Sequence, residues 1–164
     1  MIFKKVNDYI DNLKYEYIIS ETGLLFKRLY PNKQGSIRMT LDNGKRISVR
    51  KIINKCDKDL EIIRYDTDIL LIINRIGYQL MNYGIDGGYY VFGFYGKDKS
   101  KLKIRIHRLM YKVFKGSIPE GYVVHHKDHN KLNNTPNNLI LMRQDEHVSY
   151  HDTFRERDYH GRLV

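Results

Sequence analysis

Short runs in which apolar and polar residues alternate dominate the first two thirds of the chain, and this period of two predicts β-strands. Each run is rich in β-branched and aromatic residues and is bounded by turn-forming residues, as is typical of strands joined by tight turns. The clearest runs cover residues 16–20, 24–26, 36–41, 45–49, 89–95 and 102–106. The most apolar stretch, residues 69–73, has the length of one more core strand. The first half is therefore predicted to be mostly β-structure.

Two pairs of these runs are predicted to form β-hairpins. Asn43-Gly44 lies between the two runs of the first pair, and an Asn-Gly step in that position is a strong hairpin signal. A polar, glycine-containing segment, residues 96–100, separates the two runs of the second pair. Both hairpins carry basic residues at alternate positions, so each ribbon is expected to present several positive charges on one side.

The second strand of each hairpin leads into a similar sequence. Residues 45–53 align with residues 102–110, and in both copies an alternating basic strand runs into a short helix. His107 stands where Arg50 stands in the first copy. An internal repeat and a chance likeness of two basic hairpins both fit a match of this length.

Helical spacing replaces alternation after the second hairpin. Leu109 and Val113 share one face of a helix predicted over residues 108–114, and Gly116 and Pro119 end it. A segment with a strand that carries two adjacent histidines, residues 122–130, is followed by a second short strand at 138–142 and a last helix at 144–154. We therefore expect an α+β fold with three successive parts. These are a β-rich region and possible recognition module at residues 1–75, the second hairpin with its helix at 76–118, and a strand–strand–helix module at 119–164.

Composition adds a strong positive charge to this picture. The 164 residues include 29 Lys and Arg against 19 Asp and Glu, a net charge of +10. Residues 1–100 carry 17 basic and 12 acidic groups, and residues 101–164 carry 12 and 7, so each part contributes +5. A basic protein attracts polyanions because every neutralised phosphate releases condensed counterions. Charge alone does not distinguish DNA from RNA or from an anionic membrane.

Cysteine content and hydropathy exclude several other classes. The single Cys56 excludes an internal disulfide and a cysteine-based zinc cluster. The chain has no apolar run of membrane-spanning length, and its first residues lack the apolar core of a signal peptide. We expect a soluble, cytoplasmic protein that has no membrane partner and no obligate protein partner.

The histidines are confined to the last part of the chain and form a pattern that can carry chemistry. All seven lie from His107 onward. His125 and His126 are adjacent in a predicted strand, so their side chains should point to opposite faces. His147 and His151 lie one turn apart on the last predicted helix. Two helical histidines and one from a strand can hold a divalent cation through neutral imidazole nitrogens.

Adjacent strand histidines also allow two different roles in one site. One can bind the cation while its neighbour, which faces elsewhere, takes a proton from water near neutral pH. Phosphodiester hydrolysis needs both an activated water and a cation that stabilises the charge developing on the phosphoryl group. The segment between the two predicted strands contains Asn130, Asn133, Asn134 and Asn137, which is typical of a structured loop.

Residues 107–151 resemble the signature of the HNH nucleases in its ββα-metal form, as found in phage intron-encoded homing endonucleases and bacteriocin DNases. The likeness rests on residues 106–110, on 119–130 with its His-His pair, and on Asn133-Asn134, Asn138-Leu139 and Glu146-His147. It implies a metal-dependent DNA endonuclease in which His126 is the general base and His125 and His147 are metal ligands. It also implies that Asn138 braces the loop and helps to orient the base, and that His151 is a third ligand, as in the bacteriocin enzymes.

The resemblance further implies Mg²⁺ or Mn²⁺ as the working ion, although imidazole-rich sites also bind Zn²⁺ or Ni²⁺. A single site of this type hydrolyses one strand at a time, so a monomer is expected to nick duplex DNA. Two positions depart from the family pattern. His129 replaces a common Gly, which puts the local backbone conformation in doubt, and Arg143 replaces a Thr-like helix cap.

Basic residues on both hairpins and around the histidines are the expected contacts to double-stranded DNA, because two-stranded ribbons fit the major groove. They are Lys45, Arg46, Arg50, Lys101, Lys103, Arg105, Lys127, Lys131 and Arg143. A structural role is expected for His107, and a phosphate contact is the alternative. A non-catalytic DNA-binding protein with a structural metal site and an RNA-directed nuclease remain alternatives for the chain.

Overall fold

The computed structural model describes residues 1–153, with side chains described through Tyr150. Its strands are β1 (Phe3–Lys5), β2 (Tyr17–Ser20), β3 (Leu25–Arg28), β4 (Arg38–Thr40), β5 (Arg46–Ser48), β6 (Leu60–Tyr65), β7 (Asp68–Ile73), β8 (Ile76–Leu80), β9 (Gly84–Asp86), β10 (Tyr89–Tyr95), β11 (Lys101–Arg105), β12 (Tyr122–His126) and β13 (Leu139–Arg143). Its helices are α1 (Val49–Ile53), α2 (Ile106–Phe114) and α3 (Gln144–Thr153). The α+β prediction is confirmed.

Six strands of the first half form one antiparallel sheet in the order β1-β2-β3-β8-β7-β6. The turn between β7 and β8 is the two-residue step Asn74-Arg75, and both residues have positive φ, at 47° and 63°. Such a turn matches the twist of the strands that it joins, so β7 and β8 pair in tight register from Ile73 and Ile76 outward.

Both predicted hairpins are present, and each leads directly into a helix. β4 pairs with β5 before α1, and β10 pairs with β11 before α2. The two helices begin at Val49 and Ile106, which are equivalent positions in the alignment of the two copies. Ile106 was expected to end the strand, with the helix starting at Arg108, and that boundary was wrong. Arg105 is the last extended residue, with φ of −72° and ψ of 130°, and helix α2 begins at the next residue.

The main hydrophobic core connects the N-terminal strands to the C-terminal module. Helix α2 buries one stripe of side chains, at Ile106, Leu109, Met110 and Val113, which is the spacing of an amphipathic helix. This stripe packs in one cluster with residues of all three predicted parts of the chain, which are Val6, Leu13, Tyr17, Ile19, Leu25, Phe94, Val124 and Leu139. Helix α2 therefore packs against the β12–β13 ribbon.

A second cluster lies under the first hairpin and α1, and a third lies on Ile18, Phe26, Leu71 and Tyr78 of the large sheet. None of the helices in the described part of the chain is long and apolar enough to cross a membrane.

Candidate active site

The two adjacent histidines lie at the end of the β12–β13 ribbon. His125 pairs with Ile140 and His126 with Leu139, and the Lys127 amide then donates to the Asn138 carbonyl as the strands separate. Both histidines are buried, with 5% and 4% of their surfaces exposed. Asn138 was expected to start the second strand but ends a 3-10 turn at Pro136–Asn138, because Pro136 begins a tight turn there.

The rings of the two histidines lie on opposite sides of the ribbon, as strand alternation predicts. The centroid of the His125 ring is 5.1 Å from that of His147 and 5.2 Å from that of Tyr150, both on α3. The His126 ring lies 5.1 Å from the His107 ring of α2 and 6.0 Å from the Tyr89 ring of β10. One histidine therefore faces the last helix, and its neighbour faces α2 and the second hairpin.

The spacing of His125 and His147 fits two ligands of one cation. Two imidazoles that bind a metal at about 2.1 Å with a near-tetrahedral ligand angle have ring centroids roughly 5 Å apart. Among the described side chains, however, no three His, Cys, Asp or Glu residues are grouped closely enough to hold a metal by themselves. The predicted third ligand, His151, lies in α3, and its side chain is outside the described residues.

His129 also lies at this site, although no role was predicted for it. Its ring stacks on Tyr150 with an interplanar angle of 10°, and its Nε2 is 3.2 Å from the Tyr150 hydroxyl. The His129 ring lies 5.4 Å from that of His125. Its φ is +59°, the left-handed conformation that explains why Gly is common at this position. The sequence did contain a signal for a special role of His129, because the residue replaces a Gly that is common in the family.

Asn134 is within hydrogen-bonding distance of the His126 ring. His126 Nε2 lies 3.0 Å from Asn134 Oδ1, and both residues are buried. Asn134 is one of the residues that carry the likeness to the HNH signature, but no function was predicted for it. Its distance from His126 in space depends on the loop conformation, which the sequence does not reveal.

Asn138 holds the loop together through hydrogen bonds to other loop residues. Its amide nitrogen donates to Asp128 Oδ1 at 2.7 Å and to the Asn133 carbonyl at 2.9 Å. Its Oδ1 accepts from the Asp128 amide at 3.2 Å. The hydrogen bonds from Asn133 and Asn138 hold the pKa of the exposed Asp128 carboxyl below its usual range. Asn138 is thus joined to the His126 segment through the backbone of the loop.

His107 is buried behind His126 and is neutral in the folded protein. Burial is the main cause that lowers its pKa from 6.5 to about 3, and the nearby His126, Arg105 and Arg108 lower it further. Its ring lies 4.8 Å from that of Tyr89. Its Nδ1 is the one buried side-chain polar atom without a hydrogen-bond partner among the described residues.

A cleft of about 330 Å³ opens beside these groups and is lined by Tyr89, Val124, His125, His126, His129, Lys131 and His147. At the rim of this cleft, two cationic side chains lie beside the ring of Tyr89. The Arg105 guanidinium lies 4.7 Å and the Lys131 ammonium 4.9 Å from the ring centroid. The cleft thus combines imidazoles in its interior with positive charge at its edge.

The basic residues of β11 continue this charge away from the cleft. Lys101, Lys103 and Arg105 alternate along the strand, so they share one face of the ribbon, and all three are exposed. Opposite Lys103 the facing strand has Gly93, where an added β-carbon would have open space around it. Lys103 forms an exposed ion pair with Asp86 at 2.6 Å.

The remaining predicted basic contacts are all exposed, and they differ in their surroundings. Lys45, Arg46 and Arg50 lie on the first hairpin and α1, and Lys127 lies in the loop after the histidine pair. Arg143 is bound by Asp145, which accepts from both its Nε and an Nη at 3.1 Å. The Arg143 amide donates to Glu146 at the start of α3, which substitutes for the expected Thr-like cap.

Comparison with known proteins agrees with the predicted resemblance. Residues 105–149 match the family described as HNH endonuclease. Over 61 residues the chain is 38% identical to the Bacillus subtilis (strain 168) protein named "SPbeta prophage-derived putative HNH homing endonuclease YosQ". This match covers 37% of this chain and 35% of that protein.

A solved structure has a similar fold. It is titled "DNA binding and cleavage by the HNH homing endonuclease I-HmuI", with a TM-score of 0.51 and 22% sequence identity. The match covers 93% of this chain and 59% of that one. The chain therefore spans about a third of the curated relative and about three fifths of the solved chain. The resemblance to the HNH nucleases, predicted from the residues, is confirmed.

Proposed function

From the HNH endonuclease match at residues 105–149, we propose that this protein is a divalent-metal-dependent endonuclease that hydrolyses phosphodiester bonds of double-stranded DNA, one strand at a time. The observation that carries the proposal is the division of the histidine pair. His125 faces His147, while His126 faces a separate set of partners, and all three line one cleft. This arrangement keeps a cation-binding group and a proton acceptor close together without making them the same residue.

His125 and His147 would hold the divalent cation, with His151 as the proposed third ligand. Mg²⁺ or Mn²⁺ is the proposed working ion, and the neutral imidazole nitrogens also suit Zn²⁺ or Ni²⁺. When bound, the cation supplies Lewis-acid stabilisation of the charge that develops on the phosphoryl group. The burial of His125 limits competing solvation, and the rim cations Arg105 and Lys131 add favourable charge for a phosphodiester.

His126 is the proposed general base. It removes a proton from the water whose oxygen forms the new bond to phosphorus, while the bond from phosphorus to the 3′ oxygen breaks. The leaving 3′ oxygen takes a proton from a second water, and the resulting hydroxide takes the proton held by His126, which becomes neutral again. Asn138 contributes by fixing the loop that follows His126, through its hydrogen bonds to Asp128 and Asn133.

The face of β11 is the proposed path of the DNA backbone into the cleft. Lys101, Lys103 and Arg105 give one positive charge at every second residue, and the last of them lies at the rim beside Tyr89. Neutralised phosphates would release counterions and give a salt-dependent affinity. Lys127, Lys131 and Arg143 would add contacts near the site, and Lys45, Arg46 and Arg50 would extend the surface to the first hairpin.

A homing role is proposed from the names of the two similar proteins, both HNH homing endonucleases. In such a protein the C-terminal module would cut, and the N-terminal hairpins would contribute sequence preference. The shared core between these parts supports a fixed placement of the two functions.

A plasmid-relaxation assay tests the proposal. The protein should convert supercoiled plasmid to open circle in Mg²⁺ or Mn²⁺, and EDTA should stop the reaction. Parallel digestion of duplex DNA and of RNA identifies the substrate class. Binding of DNA without cleavage under any of these ions would favour a DNA-binding protein with a structural metal site, and cleavage of RNA alone would favour an RNA-directed nuclease.

A further inference from the structure

The hydrogen bond between His126 and Asn134 determines which ring nitrogen of His126 carries the proton. The Oδ1 of a side-chain amide has lone pairs and no hydrogen, so it can only accept. Nε2 of His126 lies 3.0 Å from this oxygen and must therefore donate to it. In a neutral imidazole the other nitrogen, Nδ1, then has the free lone pair.

We propose that Asn134 is a positioning residue that holds His126 in the Nε2–H tautomer and leaves Nδ1 as the proton acceptor for the attacking water. The assignment of the acceptor rests on the proposed function, whereas the tautomer rests on the Asn134 contact alone. Nδ1 makes no hydrogen bond to any residue that the structure describes, and His126 lines the cleft in which a phosphodiester would lie.

Neighbouring rings restrict rotation of the His126 side chain, so that the hydrogen bond has one geometry. The His107 ring lies at 60° to the His126 ring, and the Tyr89 ring lies at 36°. A reversed ring would place a carbon where Asn134 Oδ1 needs a donor. With only 4% of its surface exposed, His126 has little water available to replace that hydrogen bond.

Asn134 lies near the N-terminal sheet. A β-carbon added to Gly23, in the turn between β2 and β3, would lie 3.8 Å from the β-carbon of Asn134. The two residues line a second cleft together with Tyr83 and Tyr90. The Tyr83 hydroxyl donates to the Gly23 carbonyl and so helps to fix this turn beside Asn134. The residue that holds the proposed base therefore lies beside the N-terminal region.

Asn138 does not provide this contact, because its side chain is occupied by Asp128 and the Asn133 carbonyl. Asn138 alone was expected to brace the loop and to orient the base, and we assign these two roles to different asparagines. Asn138 shapes the loop, and Asn134 holds the ring. Their substitution should therefore have different effects on the His126 ring.

Nuclear magnetic resonance of the full chain labelled with ¹⁵N-histidine tests the tautomer. Spectra recorded at about pH 8 keep an unperturbed imidazole neutral, and His126→Ala identifies the His126 signals. We expect the proton on Nε2, with a resolved line because a buried, hydrogen-bonded ring proton exchanges slowly with water. Asn134→Leu removes the acceptor at similar size and should abolish this line, whereas Asn134→Asp keeps an acceptor and should retain it. Asn137→Leu, an exposed asparagine in the same loop, is the matched control and should also retain it.

Cleavage and metal binding are measured on the same variants. Partners behind a functional histidine typically contribute about 10–100-fold, so Asn134→Leu should cut DNA more slowly by that factor while binding Mn²⁺ as the wild type does. Asn134→Asp should recover most of the loss. A wild-type proton on Nδ1, a protected Nε2–H line in folded Asn134→Leu, or an unchanged cleavage rate would overturn the proposal.

If Asn134→Leu does not fold, the wild-type and Asn134→Asp spectra decide the tautomer. If the wild type cuts no DNA but the Nε2–H line depends on Asn134 as expected, the contact stands and the proposed nuclease function fails. The two proposals are therefore tested separately.

Discussion

His107 should make the protein sensitive to acid, and the size of the effect follows from its pKa. The unfolded chain takes up a proton at His107 near pH 6.5, whereas the folded protein resists protonation until about pH 3. Because the pKa of His107 is lower in the folded protein than in the unfolded chain, neutral His107 contributes to the free energy of unfolding. This contribution is complete above the unfolded pKa and is lost as the pH falls towards the folded pKa. At about pH 5 the unfolded state is favoured by roughly 1.5 pKa units of protonation, or about 2 kcal/mol.

His107→Leu removes this titration at similar side-chain volume. Urea unfolding at about pH 7.5 and about pH 5 gives the free energy of unfolding of each protein. The loss between the two values should be smaller in His107→Leu than in the wild type by about 2 kcal/mol. Near neutral pH the variant should be no less stable, because the substitution also removes the unpartnered Nδ1. EDTA in all samples prevents bound metal from adding its own stabilisation.

Arg50→Leu is the matched control for this experiment. Arg50 is exposed and is the second residue of α1, as His107 is of α2. Its substitution should leave the loss between the two pH values as it is in the wild type. An equal loss in the wild type and in folded His107→Leu would refute the reasoning, because His107 would then not be a neutral, buried group.

Three further predictions concern the metal, the loop and the DNA. His125→Ala and His147→Ala should each weaken Mn²⁺ binding in calorimetric titration; wild-type affinity in both would place the cation elsewhere. Asn138→Ala should lower the free energy of unfolding by about 1–3 kcal/mol in urea melts, and an unchanged midpoint would show that its hydrogen bonds do not brace the loop. Lys103→Ala/Arg105→Ala should weaken DNA binding and reduce the log–log salt slope by about 0.9 per lost phosphate contact. An unchanged salt slope and an unchanged affinity would show that these β11 side chains do not contact DNA.

Local patterns in the sequence predicted much of the C-terminal module. Strand alternation predicted that His125 and His126 face opposite sides, because this depends only on the backbone geometry of β12. Turn residues likewise predicted both hairpins, because a turn depends on a few adjacent residues, as at the Asn43-Gly44 step of the first hairpin. Features that follow from the period of one element could thus be inferred without the fold.

Features that depend on distant contacts could not be inferred in this way. The contact of Asn134 with His126 requires the conformation of the loop that joins them. The place of His129 beside Tyr150 depends on a left-handed backbone that a non-glycine residue seldom adopts. The order of the six-stranded sheet, in which β3 pairs with the much later β8, is likewise set by long-range packing.

The cleavage rate of His126→Ala under single-turnover conditions tests the central claim most directly. At saturating Mn²⁺ and excess protein over plasmid, the rate reports the chemical step without product release. We expect His126→Ala to fold, to bind Mn²⁺ as the wild type does, and to nick DNA slower by about 10²–10⁴-fold, the usual cost of removing a general base. A folded His126→Ala protein that nicks plasmid at the wild-type rate would contradict the account.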